Sequence, residues 1–180
     1  DPSTGEARRV DPSDPNFTAS VQIPVRAGWN IVSVPLIVPD YSAGVLFPNA
    51  GSVAFGYNGV YFVADPLANG PGYLIRYARD TVITMVGTPL SNQNIAINNG
   101  WNLIGSVTYP EVVFALSASP PGILGDEYWE YSPKGFDRAK TITPGGGYWV
   151  YSTGTGLLAE SSATCYGLRP PVFDEPPTPR

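Results

Sequence analysis

The chain has 180 residues, with 20 Gly and 20 Pro. That is well above the usual share of these turn formers, and both break helices, so a helical bundle is excluded. Hydrophobic residues make up 43 %, aromatics 12 % and charged residues 14 %, with a net charge of −5; such a chain folds, and its few scattered Lys and Arg exclude a basic nucleic-acid face.

Residues 1–18 hold three Pro and six charged side chains and read as an extended N-terminal arm. Within it, Asn16-Phe17-Thr18 is a glycosylation acceptor pattern. Val21–Val25 alternates apolar residues with Gln22 and Pro24, as a half-buried strand does. Asn30–Leu36 is a nearly continuous apolar run, which predicts a strand buried on both faces. Ser52–Tyr57 and Val60–Val63 flank Asn58-Gly59, which predicts a hairpin with a type I′ turn. Tyr73–Tyr77 and Thr81–Val86 predict a second hairpin across Ala78–Asp80. Further on, Pro110–Ala118 has Pro at a first helical position and apolar residues at Val112, Val113 and Leu116, so a short helix is expected there. Pro133–Gly135 and Ser152–Gly154 read as the turns of the later strands. The last twelve residues contain five Pro and form a Pro-rich tail over 161–180.

The middle of the chain is duplicated. Ala27-Gly28-Trp29-Asn30-Ile31-Val32 returns as Asn99-Gly100-Trp101-Asn102-Leu103-Ile104. A second landmark follows in each copy: Gly72-Tyr73-Leu74-Ile75, then Gly147-Tyr148-Trp149-Val150. Two landmarks in the same order predict two tandem β units, 19–88 and 89–160. The expected fold is all-β, with about six short antiparallel strands per unit forming a small sandwich or barrel, and with extended Pro-rich termini.

The paired signature resembles a β-rich module repeated in large secreted and cell-surface proteins of bacteria and archaea. In that module the first motif runs into a Pro-containing loop, as Val34-Pro35-Leu36 does here. The second sits in a Pro-Gly-x-Gly-Tyr-Trp turn, as in Pro144–Trp149. The first unit departs at Leu74, where the module has Trp. The resemblance implies an extracellular, non-enzymatic module and carries no catalytic residues with it.

The chemistry read from the residues consists mostly of absences. There is no His, so Ser-His-Asp and Cys-His sites are impossible. The single Cys165 can form neither an intramolecular disulfide nor a Cys/His zinc site. Asp126, Glu127 and Glu130 form an acidic cluster that reads as a solvated strand edge. Glycosidase work or calcium binding by that cluster is the lesser alternative. No cofactor or metal is expected, and no apolar run is long enough for a membrane-spanning segment.

Aromatic residues are the suggestive feature. Trp29, Trp101, Trp129 and Trp149 are expected in the core, where a small β unit needs bulk. Tyr57, Tyr61, Tyr77, Tyr128, Tyr131 and Tyr151 are expected at interfaces or stacked on a ligand, as coplanar exposed rings. The expected function is that of an extracellular or cell-surface structural protein, a homo-oligomer or polymer whose tails pack on neighbouring copies. The alternative is a carbohydrate-binding, adhesive module of a larger secreted protein. A chain beginning at Asp1 without Met is expected to be a processed product or a fragment.

Overall fold

The computed structural model describes residues 17–162. Asn16, Cys165 and nearly all of the two Pro-rich ends lie outside the described residues. The first elements are β1 (Ala19–Val25), β2 (Gly28–Ser33), β3 (Leu36–Ile37), a one-turn helix α1 (Ala43–Leu46), β4 (Phe55–Tyr57), β5 (Tyr61–Val63), β6 (Gly72–Tyr77) and β7 (Thr81–Pro89). Then come β8 (Asn92–Ile97), β9 (Gly100–Ile104), β10 (Glu111–Val112), β11 (Ser117–Ser119), β12 (Leu124–Ser132), β13 (Gly135–Ala139), β14 (Thr141–Ile142), β15 (Tyr148–Ser152) and β16 (Gly156–Ser161). The protein is all-β, and every paired strand is antiparallel.

The strands form two sandwich-like groups. In the first, a three-stranded sheet β1-β7-β3 faces a four-stranded sheet β2-β6-β4-β5. In the second, β11-β16-β8 faces β13-β12-β15-β9, with β10-β14 as a small extra ladder. Each group has its own core, one built around Val25, Val34, Leu36, Phe47 and Ile75, the other around Ile97, Ile104, Ile142, Tyr148 and Leu158. In both four-stranded sheets the Gly-Trp-Asn strand is an edge, the Gly-Tyr strand lies next to it, and a hairpin completes the sheet.

The repeated motifs have a local explanation. Gly28 and Gly100 adopt φ of 97° and 100°, which turns the chain into the strand that follows. The next-but-one residue clamps that turn. Asn30 Oδ1 accepts from Arg26 N–H (2.9 Å), and its amide donates to Arg26 O (2.8 Å). Asn102 repeats this with Asn98 N–H (2.8 Å) and Asn98 O (2.8 Å). In the second motif, Tyr73 Oη accepts from Ala68 N–H (2.9 Å) and Tyr148 Oη from Thr143 N–H (2.8 Å). Each Tyr therefore pins the loop five residues upstream of it.

Three local expectations are corrected. Strands β6 and β7 are not a hairpin: β6 pairs with β2 and β4, whereas β7 pairs with β1 and β3. The chain turns at Ala78–Asp80 but crosses to the facing sheet, because Ile83 and Met85 must meet the core that β1 also lines. The β15–β16 connection crosses in the same way. The β4–β5 hairpin exists, but its Tyr57↔Tyr61 register leaves a three-residue loop in which only Gly59 has positive φ, at 102°, so the turn is not type I′. The helix expected over 110–118 is a single 3₁₀ turn, Val113–Ala115, between two strands. Glu111 and Val112 pair with Ile142 and Thr141 instead, and β-branched Val112 and Val113 favour that ladder.

The two groups meet in a reciprocal joint. Each Gly-rich turn lies against the other group's Gly-Trp-Asn strand, through the bridges Val32↔Gly146 and Pro71↔Ile104. A buried polar relay runs across the joint. Gly145 N–H donates to Ser106 Oγ (2.8 Å), Ser106 bonds to Ser33 Oγ (2.9 Å), and Ser33 Oγ donates to Gly146 O (2.7 Å). Because the Ser33 proton goes to Gly146 O, the Ser106 hydroxyl is the donor to Ser33. Thr108 Oγ1 adds a bond to Pro35 O (2.6 Å). The Asn30–Leu36 run is not one strand: β2 ends at Ser33 and β3 begins at Leu36 in the facing sheet, with Val32, Val34 and Leu36 buried in the first core, while Trp29, just before the run, is exposed.

A candidate ligand-binding face

Solvated faces of antiparallel sheets are normally polar. Here the outward faces of both four-stranded sheets carry aromatic rings. Side chains alternate across a strand, so Tyr148, Val150 and Ser152 of β15 point inward while Trp149 and Tyr151 point outward. On β9 the same alternation sends Trp101 out and Asn102 in. The register sets Tyr151 directly opposite Trp101, and Trp129 opposite Trp149.

The rings form a continuous row that crosses from one group to the other. Its centroid separations are 5.2 Å for Tyr61–Tyr57, 4.8 Å for Tyr57–Trp149, 6.5 Å for Trp149–Trp101 and 5.5 Å for Trp101–Tyr151. The Tyr57–Trp149 pair is the crossing point. Adjacent planes are inclined at 63° to 89°, the edge-to-face geometry that ring quadrupoles favour. The expectation of coplanar rings is corrected accordingly. Two further pairs lie outside the row: Trp29–Phe55 at 6.0 Å and Tyr131–Phe136 at 5.2 Å.

The core expectation for the tryptophans is also corrected. Trp29 and Trp101 are 43 % and 47 % exposed, and Trp129 and Trp149 are half-buried. Aliphatic residues and Tyr73, Tyr77, Tyr128 and Tyr148 fill the cores in their place. Of the six tyrosines expected at an interface, Tyr57, Tyr61 and Tyr151 belong to the row and Tyr131 pairs with Phe136. Tyr77 and Tyr128 are buried, at 2 % and 4 % exposure. Burial pushes the hydroxyl pKa of each up to about 12; for Tyr128 the nearby Glu160, Glu111 and Asp126 add to the shift. What separates these two from the others is strand parity: Tyr77 ends the inward-facing set Tyr73, Ile75, Tyr77 of β6.

A cleft of about 400 Å³ opens beside Tyr57, between β4–β5 and β8–β9. Asn58, Asp65, Asn98 and Asn102 line it with Tyr57, Tyr73 and apolar side chains, and among the described residues no Lys or Arg does.

The acidic cluster is spread along one strand. Glu127 pairs with Arg138, whose guanidinium also sits 5.4 Å from the Trp129 ring centroid. Asp126 and Glu130 are exposed. The sequence reading missed a different pair of carboxyls, Glu111 and Glu160, which are 5 % and 1 % exposed. Burial raises both pKa values, that of Glu160 to about 8. The signal available was Glu160 in the inward-facing set of a strand, at alternate positions with Leu158. Among the described residues, no group of three or more His, Cys, Asp or Glu is arranged to hold a metal ion, and no helix is long and apolar enough to cross a membrane. The chain matches no protein-family model, no curated protein and no solved structure.

Proposed function

We propose that this chain is a non-enzymatic binding module of a secreted or cell-surface protein, and that it adheres to carbohydrate through its aromatic row. The observation that supports this reading is the continuity of Tyr61, Tyr57, Trp149, Trp101 and Tyr151 across both groups. A solvated aromatic patch of this kind marks a recognition surface. Ring faces bind the apolar faces of sugars, and hydroxyl or indole edges keep such rings wettable. The expected result is that Trp149→Ala and Trp101→Ala each weaken retention on amorphous polysaccharide about tenfold. Tyr131→Ala, outside the row, leaves it unchanged. Affinity electrophoresis in gels containing the polysaccharide measures this, and equal mobility shifts in all four proteins would overturn the reading.

A second reading, a self-assembling surface or filament subunit, is favoured by a different observation. Val60, Tyr61, Phe62 and Val63 are all exposed, and β5 is a sheet edge. Unblocked apolar edges pair with other chains. Packing of tails on neighbouring copies concerns residues outside those described. Sedimentation velocity at rising concentration tests the assembly: it is expected to reveal oligomers, and a single monomeric species at every concentration excludes it.

A further inference from the structure

The inference concerns the cleft beside Tyr57 and rests on the carbohydrate reading, which it deepens by naming the class of sugar and the residues that read it. Tyr57 belongs to both features: its ring is edge-on to Trp149 and it lines the cleft. Row and cleft are therefore one continuous surface. Asn58 from the first group and Asn98 from the second flank that junction. Both are exposed, and the Asn98 main chain is held by the Asn102 clamp, with bonds of 2.8 Å on each side. Among the described residues, neither side-chain amide makes a hydrogen bond that holds the fold. Asp65 Oδ1 accepts from Ala43 N–H (3.0 Å), which fixes that carboxylate at the cleft.

The chemistry of this lining is selective. An amide presents two donors and an acceptor oxygen with two lone pairs, which suits hydroxyl groups that both donate and accept. Among the described residues the cleft has one carboxylate and no cation, which would leave an anionic ligand unpaired and repelled. The inclined ring planes of the row do not offer a flat platform, so they suit a single chain that presents successive residues at different angles. The volume, about 400 Å³, lies in the range of small-molecule sites.

We propose that this cleft is the specificity subsite for a neutral oligosaccharide, with Asn58 and Asn98 hydrogen-bonding its hydroxyls while Tyr57, Trp149 and Trp101 carry the sugar residues that follow. Isothermal titration calorimetry on the full chain tests it. The probes are soluble hexasaccharides of glucose, mannose, xylose and N-acetylglucosamine, with an oligogalacturonate as the anionic member. At least one neutral hexasaccharide is expected to bind, the galacturonate at least tenfold more weakly. Asn58→Ala and Asn98→Ala each weaken the neutral ligand about fivefold, the effect of one hydrogen bond, while near-UV circular dichroism stays unchanged. Unchanged affinity in both Asn variants, with binding lost in Trp149→Ala, overturns the subsite and leaves the aromatic platform standing. Equal binding of the galacturonate overturns the neutral class. If no oligosaccharide binds, or if Trp149→Ala has no effect, the carbohydrate reading falls and the subsite with it.

Discussion

Replacing Glu160 with Gln is expected to stabilise the protein at pH 8 and above, by up to roughly 5 kcal/mol, and to remove most of its loss of stability on the alkaline side. Glu160 lies on β16 and is 1 % exposed. Burial is the main cause that raises its pKa from 4.5 to about 8; Glu111 pushes it further up, and the bond from Gln93 opposes both. Gln93 Nε2 donates to Glu160 Oε2 at 2.6 Å, while Gln93 Oε1 and Glu160 Oε1 are both buried without a partner among the described residues. A buried acceptor without a donor is costly, and protonating the Glu160 carboxyl turns one of its oxygens into a donor. The folded protein thus keeps a proton that the unfolded chain releases above 4.5. Stability from this site is full below pH 4.5 and declines as pH rises towards about 8. Glu111, also raised by burial and eased by the N–H of Ser161, acts in the same direction. Tyr128 is held at about 12 and contributes only in strong alkali. Gln at position 160 keeps the shape and the hydrogen bonds and carries no charge at any pH. Urea unfolding of both proteins between pH 4.5 and 9 measures the difference. Parallel stability curves would refute it.

The joint between the two sandwich groups carries the second large effect. Gly72→Ala is expected to cost about 3 kcal/mol, the scale of forcing extra volume into a packed interior. A Cβ there would stand 2.6 Å from Ile104 O and 3.2 Å from Ile104 C, both main-chain atoms that cannot step aside. The same turn supplies Gly70 O, which accepts from Gly105 N–H at 2.6 Å, so displacing it also loosens the joint. Gly59→Ala is the control: φ is 102° but nothing lies within 4 Å of the added carbon, so only the backbone strain of about 1 kcal/mol remains. Ser106→Ala falls between them at about 2 kcal/mol, because Gly145 N–H loses its acceptor in a buried site. For a chain of this size each kcal/mol moves the melting temperature by about 2–4 °C, so thermal unfolding followed by circular dichroism separates the three variants. Gly72→Ala melting as high as Gly59→Ala would show that the joint is not where the turn glycines act.

Much of the local structure follows from the sequence alone. Period-two alternation in Val21–Val25 and the turn residues around Pro133–Gly135 placed strands and turns correctly, because both signals depend on near neighbours. The matched Gly-Trp-Asn and Gly-Tyr landmarks correspond to matched turns and matched tyrosine anchors for the same reason: the clamps of Asn30 and Asn102 reach only four residues back. The aromatic clustering was legible as composition, but the row was not. Trp29 and Trp101 look like core residues until strand parity and the edge position of β2 and β9 send them outward.

The sequence by itself therefore determined the all-β class, the location of most strands and turns, and the residues that close each turn. Only the tertiary structure decided which strands pair, since the turn at Ala78–Asp80 serves a hairpin and a sheet crossing equally well, and the choice depends on where Ile83 and Met85 find apolar partners from β1. Only it decided that Gly72 and Gly147 are contact points as well as turn residues, with a main-chain oxygen of the opposite group at 2.6 Å and 3.1 Å from the Cβ each lacks. The reason is the same in every case. Turns are made by a few adjacent residues, whereas pairing, burial and close approach are set by residues far apart in the chain, and no local pattern records them.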